Sequence, residues 1–144
     1  VSEVRQFLRA DRVVIYRCGS PCDRHVVAEA VLPNFPSILG VRVQDAGFGF
    51  RYQSYRQGEN LVIDDLDQVE LPIATDNLTR QSQVRAFLAV PILHDNELWG
   101  ILVAHQCLAP RHWKSYEIGL LEQLAIQVAI AIQQSELFHQ VRQL

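Results

Sequence analysis

The chain has 144 residues, 49% of them hydrophobic, and a net charge of −3. That size is one domain with a core of its own; the apolar fraction excludes a disordered chain, and the mild acidity argues against a nucleic-acid binder. No apolar run approaches the ~20 residues of a membrane span, so no direct membrane insertion is expected, and three cysteines, Cys18, Cys22 and Cys107, are a sparse, odd set that points to a reducing compartment.

Val1, Val4, Phe7 and Leu8 recur at helical spacing, which predicts the tail of a helix ended by Ala10 and Asp11. Arg12–Cys18 is short and β-branched, a strand. Gly19–Arg24 is a loop, and His25–Val31 is a second strand that makes a hairpin with the first. Cys18 and Cys22 have C-x3-C spacing, but no further Cys or His pair completes a metal site. Leu32–Asn60 is broken by prolines and glycines and carries scattered aromatics, Phe35, Phe48, Phe50, Tyr52 and Tyr55, with a short helix expected over 49–56. Leu61–Ile63 is a short third strand, closed by Asp64, Asp65 and Asp67, which read as a solvated loop. Leu66–Gln83 is loop plus a short helix with Thr75 or Asp76 near its N-cap. Irregular stretches of this length in a compact domain are usually functional; here they supply one wall of a pocket.

Ala86–Leu93 and Leu98–His105 are near-continuous apolar runs joined by His94, Asp95 and Asn96, which predicts a central β-hairpin covered on both faces. Trp99 and Gly100 read as packing, the glycine permitting close backbone approach. After a turn at Pro110, Ser115 is placed to cap a last helix from Tyr116 towards Leu144, roughly 40 Å long at 1.5 Å per residue. Ile118 stands at its N3 position, so the capping box is incomplete. This helix has two apolar stripes. Ile118, Leu121, Ala125, Val128 and Ile132 lie on one face; Ile126, Ile130, Leu137 and Val141 lie on a face roughly opposite. One stripe docks on the sheet. The other calls for a second helix, either the N-terminal helix or the same elements of a second chain, and a homodimer through the terminal helices is the expectation.

The order of elements resembles a GAF domain. The stretches LRADRVVIYR, YRQG, QVRA, VPIL, LWGIL, AHQC and QVAIAIQ are similar to the phytochrome-related GAF domains called cyanobacteriochromes, over essentially the whole chain. The resemblance implies an α+β, PAS-like GAF fold: an about six-stranded antiparallel sheet with N- and C-terminal helices on one face and a linear tetrapyrrole (bilin) pocket on the other. It also implies that residues 1–144 are a single sensory domain excised from a longer cytoplasmic signalling protein, with a histidine kinase, cyclase or chemotaxis-type output domain in the same chain.

In that family a bilin is tied to a cysteine by a thioether, which needs a nucleophilic thiol. Counting back from Gln83, the Cys-His pair of the family falls on Ala74 and Thr75. A second attachment motif, D-x-C-F, falls on Asp45-Ala46-Gly47-Phe48. Neither position holds a cysteine, and none lies between Asp23 and Gln106, so no covalent cofactor is expected. A residual pocket of Asp45, Phe48, Arg56 and His105 follows from the resemblance: Asp45 accepting from pyrrole N–H groups, Arg56 pairing with a propionate and His105 approaching ring D. Each also has an ordinary structural reading, as a turn aspartate, a surface arginine and a core histidine. The expectation is therefore a dimerising relay or small-ligand module with the irregular segments collapsed inward and Asp45 turned to solvent; the alternative is a photoreceptor holding a bilin non-covalently. No Ser-His-Asp or Cys-His arrangement is forced together, so the chain is not expected to be an enzyme. The N-K-x-n-F-x3-D-E pattern of cyclic-nucleotide GAF domains is not found.

Overall fold

The run Val84–Cys107 folds into the hairpin around which the molecule is built. The computed structural model describes residues 1–18, 24–41, 53–68 and 83–142. Strands β1 (Arg12–Cys18), β2 (Arg24–Val31), β3 (Leu61–Ile63), β4 (Val84–His94) and β5 (Glu97–Cys107) form one antiparallel sheet in the order β2-β1-β5-β4-β3. Five strands are therefore present among the described residues, where about six were implied. The outer edge of β2 is nonetheless met by Gly40 and Val41, through Val26 N–H to Val41 O at 3.1 Å and Gly40 N–H to Val26 O at 2.9 Å.

The β4–β5 turn is two residues long rather than three. Asp95 (φ 51°) and Asn96 (φ 62°) both take left-handed backbone, the conformation that matches strand twist in a tight hairpin and that Asp and Asn tolerate. Gly100 explains the closeness of β1 and β5: a Cβ there would stand 2.3 Å from the Tyr16 carbonyl oxygen. Trp99 on the same strand is stacked by Arg17, 4.5 Å from the ring centroid, whose guanidinium also donates to the Trp99 carbonyl at 2.7 Å.

Period-two alternation divides the sheet into two covered faces. On one, Val13, Leu88, Val90, Ile92, Leu102 and Ala104 meet Leu8 of α1 (Ser2–Leu8) and Leu121 and Ala125 of α2 (Ser115–Arg142). Both helices lie on that face, as expected. On the other, Val14, Val26, Phe87, Ala89, Ile101 and Val103 are covered by Ile38, Tyr55 and Leu66, delivered by the segments between strands. Tyr55 comes from a helical turn at 53–56, within the short helix expected at 49–56.

Two end-points differ from the sequence reading. α1 stops at Leu8 because Arg9 takes the left-handed C-cap (φ 54°), and its Phe7 faces solvent at 68% exposure while Leu8 alone is buried. At the start of α2 the cap is Lys114, not Ser115. The buried Glu117 is then the N3 residue, and its carboxylate accepts the Lys114 N–H at 2.9 Å, the reciprocal half of a capping box.

The predicted stripes of α2 hold. Leu121 and Ala125 are buried, with Ile118, Val128 and Ile132 packed beside them. Ile126, Ile130 and Leu137 stand 51%, 43% and 53% exposed with α1 in place. The Val141 side chain lies outside the described residues. Glutamines interrupt its apolar runs, yet within Ser115–Leu137 α2 is long and apolar enough to cross a membrane, by length and composition only.

Candidate functional site

The loop-covered face of the sheet carries a polar centre in an apolar setting. Register places Arg12 of β1 and Phe87 of β4 on either side of His105 of β5. Glu29 of β2 pairs with Val14 and so shares that face. Arg12 is fully buried, and His105 is 5% exposed. The Arg12 guanidinium donates through Nη1 to His105 Nδ1 at 3.2 Å and through Nη2 to the Pro36 carbonyl at 2.6 Å, with its Nε 3.6 Å from Glu29 Oε2. Glu29 in turn accepts from Ser37 Oγ at 2.5 Å and Ile38 N–H at 2.7 Å. The pair thus holds residues 36–38 down over the sheet and brings Ile38 into the core.

Arginine only donates, so His105 Nδ1 accepts and the imidazole proton resides on Nε2. Burial, helped by the Arg12 charge, pushes the His105 pKa down to about 3. His105 is therefore neutral at physiological pH. It offers a ligand one hydrogen-bond donor, not a charge.

Cys107 is buried on the same strand, with Sγ 3.9 Å from Arg12 Nη1. Burial pushes its thiol up to about 11. Its N–H donates to Asp11 Oδ2 at 2.9 Å, which makes it part of the strand-end packing. Cys18 is also buried. Cys22 lies outside the described residues.

The other predicted positions fare unevenly. Arg56 is exposed, one residue after the buried Tyr55. Asp45, Phe48, Ala74 and Thr75 lie outside the described residues, as do Phe50 and Tyr52, so the expected collapse and the turning-out of Asp45 fall there too. What is described of the loop-side covering is the inward packing of Ile38, Tyr55 and Leu66. Two open clefts, of about 480 Å³ beside His94, Trp99 and Glu136 and about 600 Å³ beside Arg9, Arg111 and Tyr116, are lined by neither His105 nor Arg12.

Two residues and the contacts of one acidic run escaped the sequence reading. Arg12 and Glu29 are charges on the inward phase of apolar strands, RVVIY and VVAEAV; that phase was the available signal, because two opposite charges pointing into one core must pair. The acidic run 64–67 is the third case: Asp64 and Asp67 stand in solvent, as a solvated loop does, and the run also supplies two anchors. Asp64 accepts from Trp113 N–H at 3.3 Å and meets His112 Nδ1 at 3.0 Å. Asp65 takes a fork from Arg85, at 2.6 and 3.1 Å, which holds its carboxyl below the usual range.

The GAF domain family model matches residues 1–132. A putative methyl-accepting chemotaxis protein of Synechocystis sp. is 35% identical over 139 residues, covering 96% of this chain and 14% of that protein. The circadian input-output histidine kinase CikA of Thermosynechococcus vestitus is 30% identical over 152 residues, covering 99% of this chain and 21% of that protein. The chain thus spans a small part of each of these two relatives. Among solved structures, the red-light-absorbing state of NpR6012g4, a red/green cyanobacteriochrome, superposes with a TM-score of 0.83 at 34% identity, covering 95% of this chain and 91% of that one.

Proposed function

Since the chain belongs to the GAF domain family, a family of sensory modules, we propose that it is a cyanobacteriochrome-like sensory domain that makes no covalent bond to a bilin. It works as a dimerising relay, or as a small-ligand module, within a multidomain cytoplasmic sensor with a histidine kinase or chemotaxis-type output. Residues 1–144 form that one domain. The cysteine inventory carries this reading. Ala74 and Gly47 occupy the positions that match the family's two attachment points, and no cysteine lies between Asp23 and Gln106. A thioether requires a thiolate, and Cys107, buried and with its pKa raised to about 11, supplies almost none.

Protein made in cells that also make a bilin, then denatured, is expected to show no zinc-dependent fluorescence at its own mass on a gel. A fluorescent band would overturn the reading and direct attention to Cys18, Cys22 or Cys107.

A second reading, a non-covalent bilin held with Asp45, Arg56 and His105, is favoured by one observation: the neutral His105 keeps its proton on Nε2 on the loop-covered face. Its mark is visible absorbance induced by free bilin and lost in His105→Ala and Asp45→Ala.

The exposed stripe of α2 supports the dimer. Burying Ile126, Ile130 and Leu137 against a second copy contributes ~1.5–3 kcal/mol per side chain as an upper range, so Ile130→Asp is expected to give a soluble, folded monomer in sedimentation. A wild-type domain that stays monomeric at high concentration would refute this.

A further inference from the structure

We propose that Asp64 is a mechanical joint that makes strand β3 and the start of α2 open and close as one cooperative unit. The residues between β5 and α2 have no regular structure, so their backbone groups need partners from elsewhere. Gln83, Cys107 and Glu117 satisfy Leu108, Ala109 and Lys114, and the end of β3 satisfies Arg111 and Trp113. The Asp64 carbonyl accepts Arg111 N–H at 2.9 Å, and its Oδ1 accepts Trp113 N–H at 3.3 Å. Its Oδ2 meets His112 Nδ1 at 3.0 Å, and the Trp113 indole N–H donates to the Ile63 carbonyl at 3.2 Å. The last residue of a three-residue edge strand and the residue after it thus hold three consecutive residues of the linker, some 48 positions away in sequence.

Both sides of the joint are fixed to further elements. On the strand side, Asp65 is forked by Arg85 at the start of β4, and Leu66 is buried in the loop-side core. On the helix side, Trp113 is 3% exposed, with the Arg111 guanidinium 4.4 Å over its ring. Arg111 also donates to the Leu8 carbonyl at the end of α1, at 2.6 Å, and pairs with Glu117 in the first turn of α2. A displacement of β3 therefore loads the first turn of the helix that leaves the domain, without passing through the central strands.

The test is native-state hydrogen exchange on the 144-residue domain, read at the Trp113 indole N–H (assigned with Trp99→Phe) and the amides of β3 and of Glu117–Leu121. In the wild type these are expected to exchange through one shared opening. Asp64→Ala should speed exchange at the Trp113 indole about tenfold while β1 amides paired with β5 stay unchanged; Asp64→Asn, which keeps the acceptor, should do less. Coupling is read with Val62→Gly, a weakening of β3 at a side chain 40% exposed. It should speed exchange in the first turn of α2 more with Asp64 present than with Asp64→Ala, which removes the carboxylate contacts and keeps the main-chain ones. An equal effect of Val62→Gly in both backgrounds, or a uniform shift of all amides in Asp64→Ala, would overturn the proposal.

Discussion

Replacing Arg12 with leucine is expected to destabilise the domain by about 3–5 kcal/mol, the cost of stripping a buried charge of its partner. Leucine fills the apolar part of the site, so the loss is electrostatic. Glu29, its side chain only 5% exposed, would keep its bonds to Ser37 and Ile38 but face no cation at 3.6 Å. The Pro36 carbonyl and His105 Nδ1 would each lose a donor. The double variant Arg12→Leu/Glu29→Gln removes both charges and keeps an acceptor for the Ile38 N–H. It is expected to recover a substantial part of the loss, so urea unfolding of the two single variants and the double should give a clearly non-additive cycle. Additive losses would mean that Arg12 and Glu29 act independently.

Acid is expected to unfold the domain through His105 before most carboxylates titrate. With a folded pKa of about 3 against an ordinary 6.5, His105 takes up a proton far more readily when the chain is unfolded. Its contribution is intact above pH 6.5 and falls as pH drops from there towards 3, reaching roughly 3 kcal/mol of lost stability at pH 4. His105→Gln can still accept from Arg12 through its amide oxygen but cannot titrate. Between pH 7 and 4 its stability should decline less steeply than that of the wild type, as measured by urea unfolding at each pH. Parallel declines would show that His105 is not held neutral by burial.

The two predictions turn on residues that the sequence treated differently. His105 stood out because AHQC resembles the stretch whose histidine approaches ring D in the cyanobacteriochrome family; whether it was a ligand or a core residue was open. Arg12 drew no functional reading at all. The difference lies in pairing. A strand pattern shows which phase points inward, but the partner across the sheet depends on register, and it is the register of β1 with β5 that brings Arg12 beside His105.

Local chemistry was legible where it acts over a few residues. The β-branched run of β1, the two apolar strands of the hairpin, the close approach at Gly100 and the inward stripe of α2 all follow from side-chain type and period, because each is decided by neighbours in the chain. The α2 cap was misplaced by one residue because Lys114 has no capping side chain of its own; Glu117 supplies the bond. The anchoring by the acidic run 64–67 was missed for a related reason: carboxylates close in sequence favour water, and the donors of Arg85, His112 and Trp113 arrive only through folding. Sequence alone thus determined the elements, their inward faces and the absence of a thiol across residues 24–106. Tertiary structure alone decided which buried charges neutralise one another and which strand holds the start of the last helix, because those energies depend on distances between residues that the chain sets far apart.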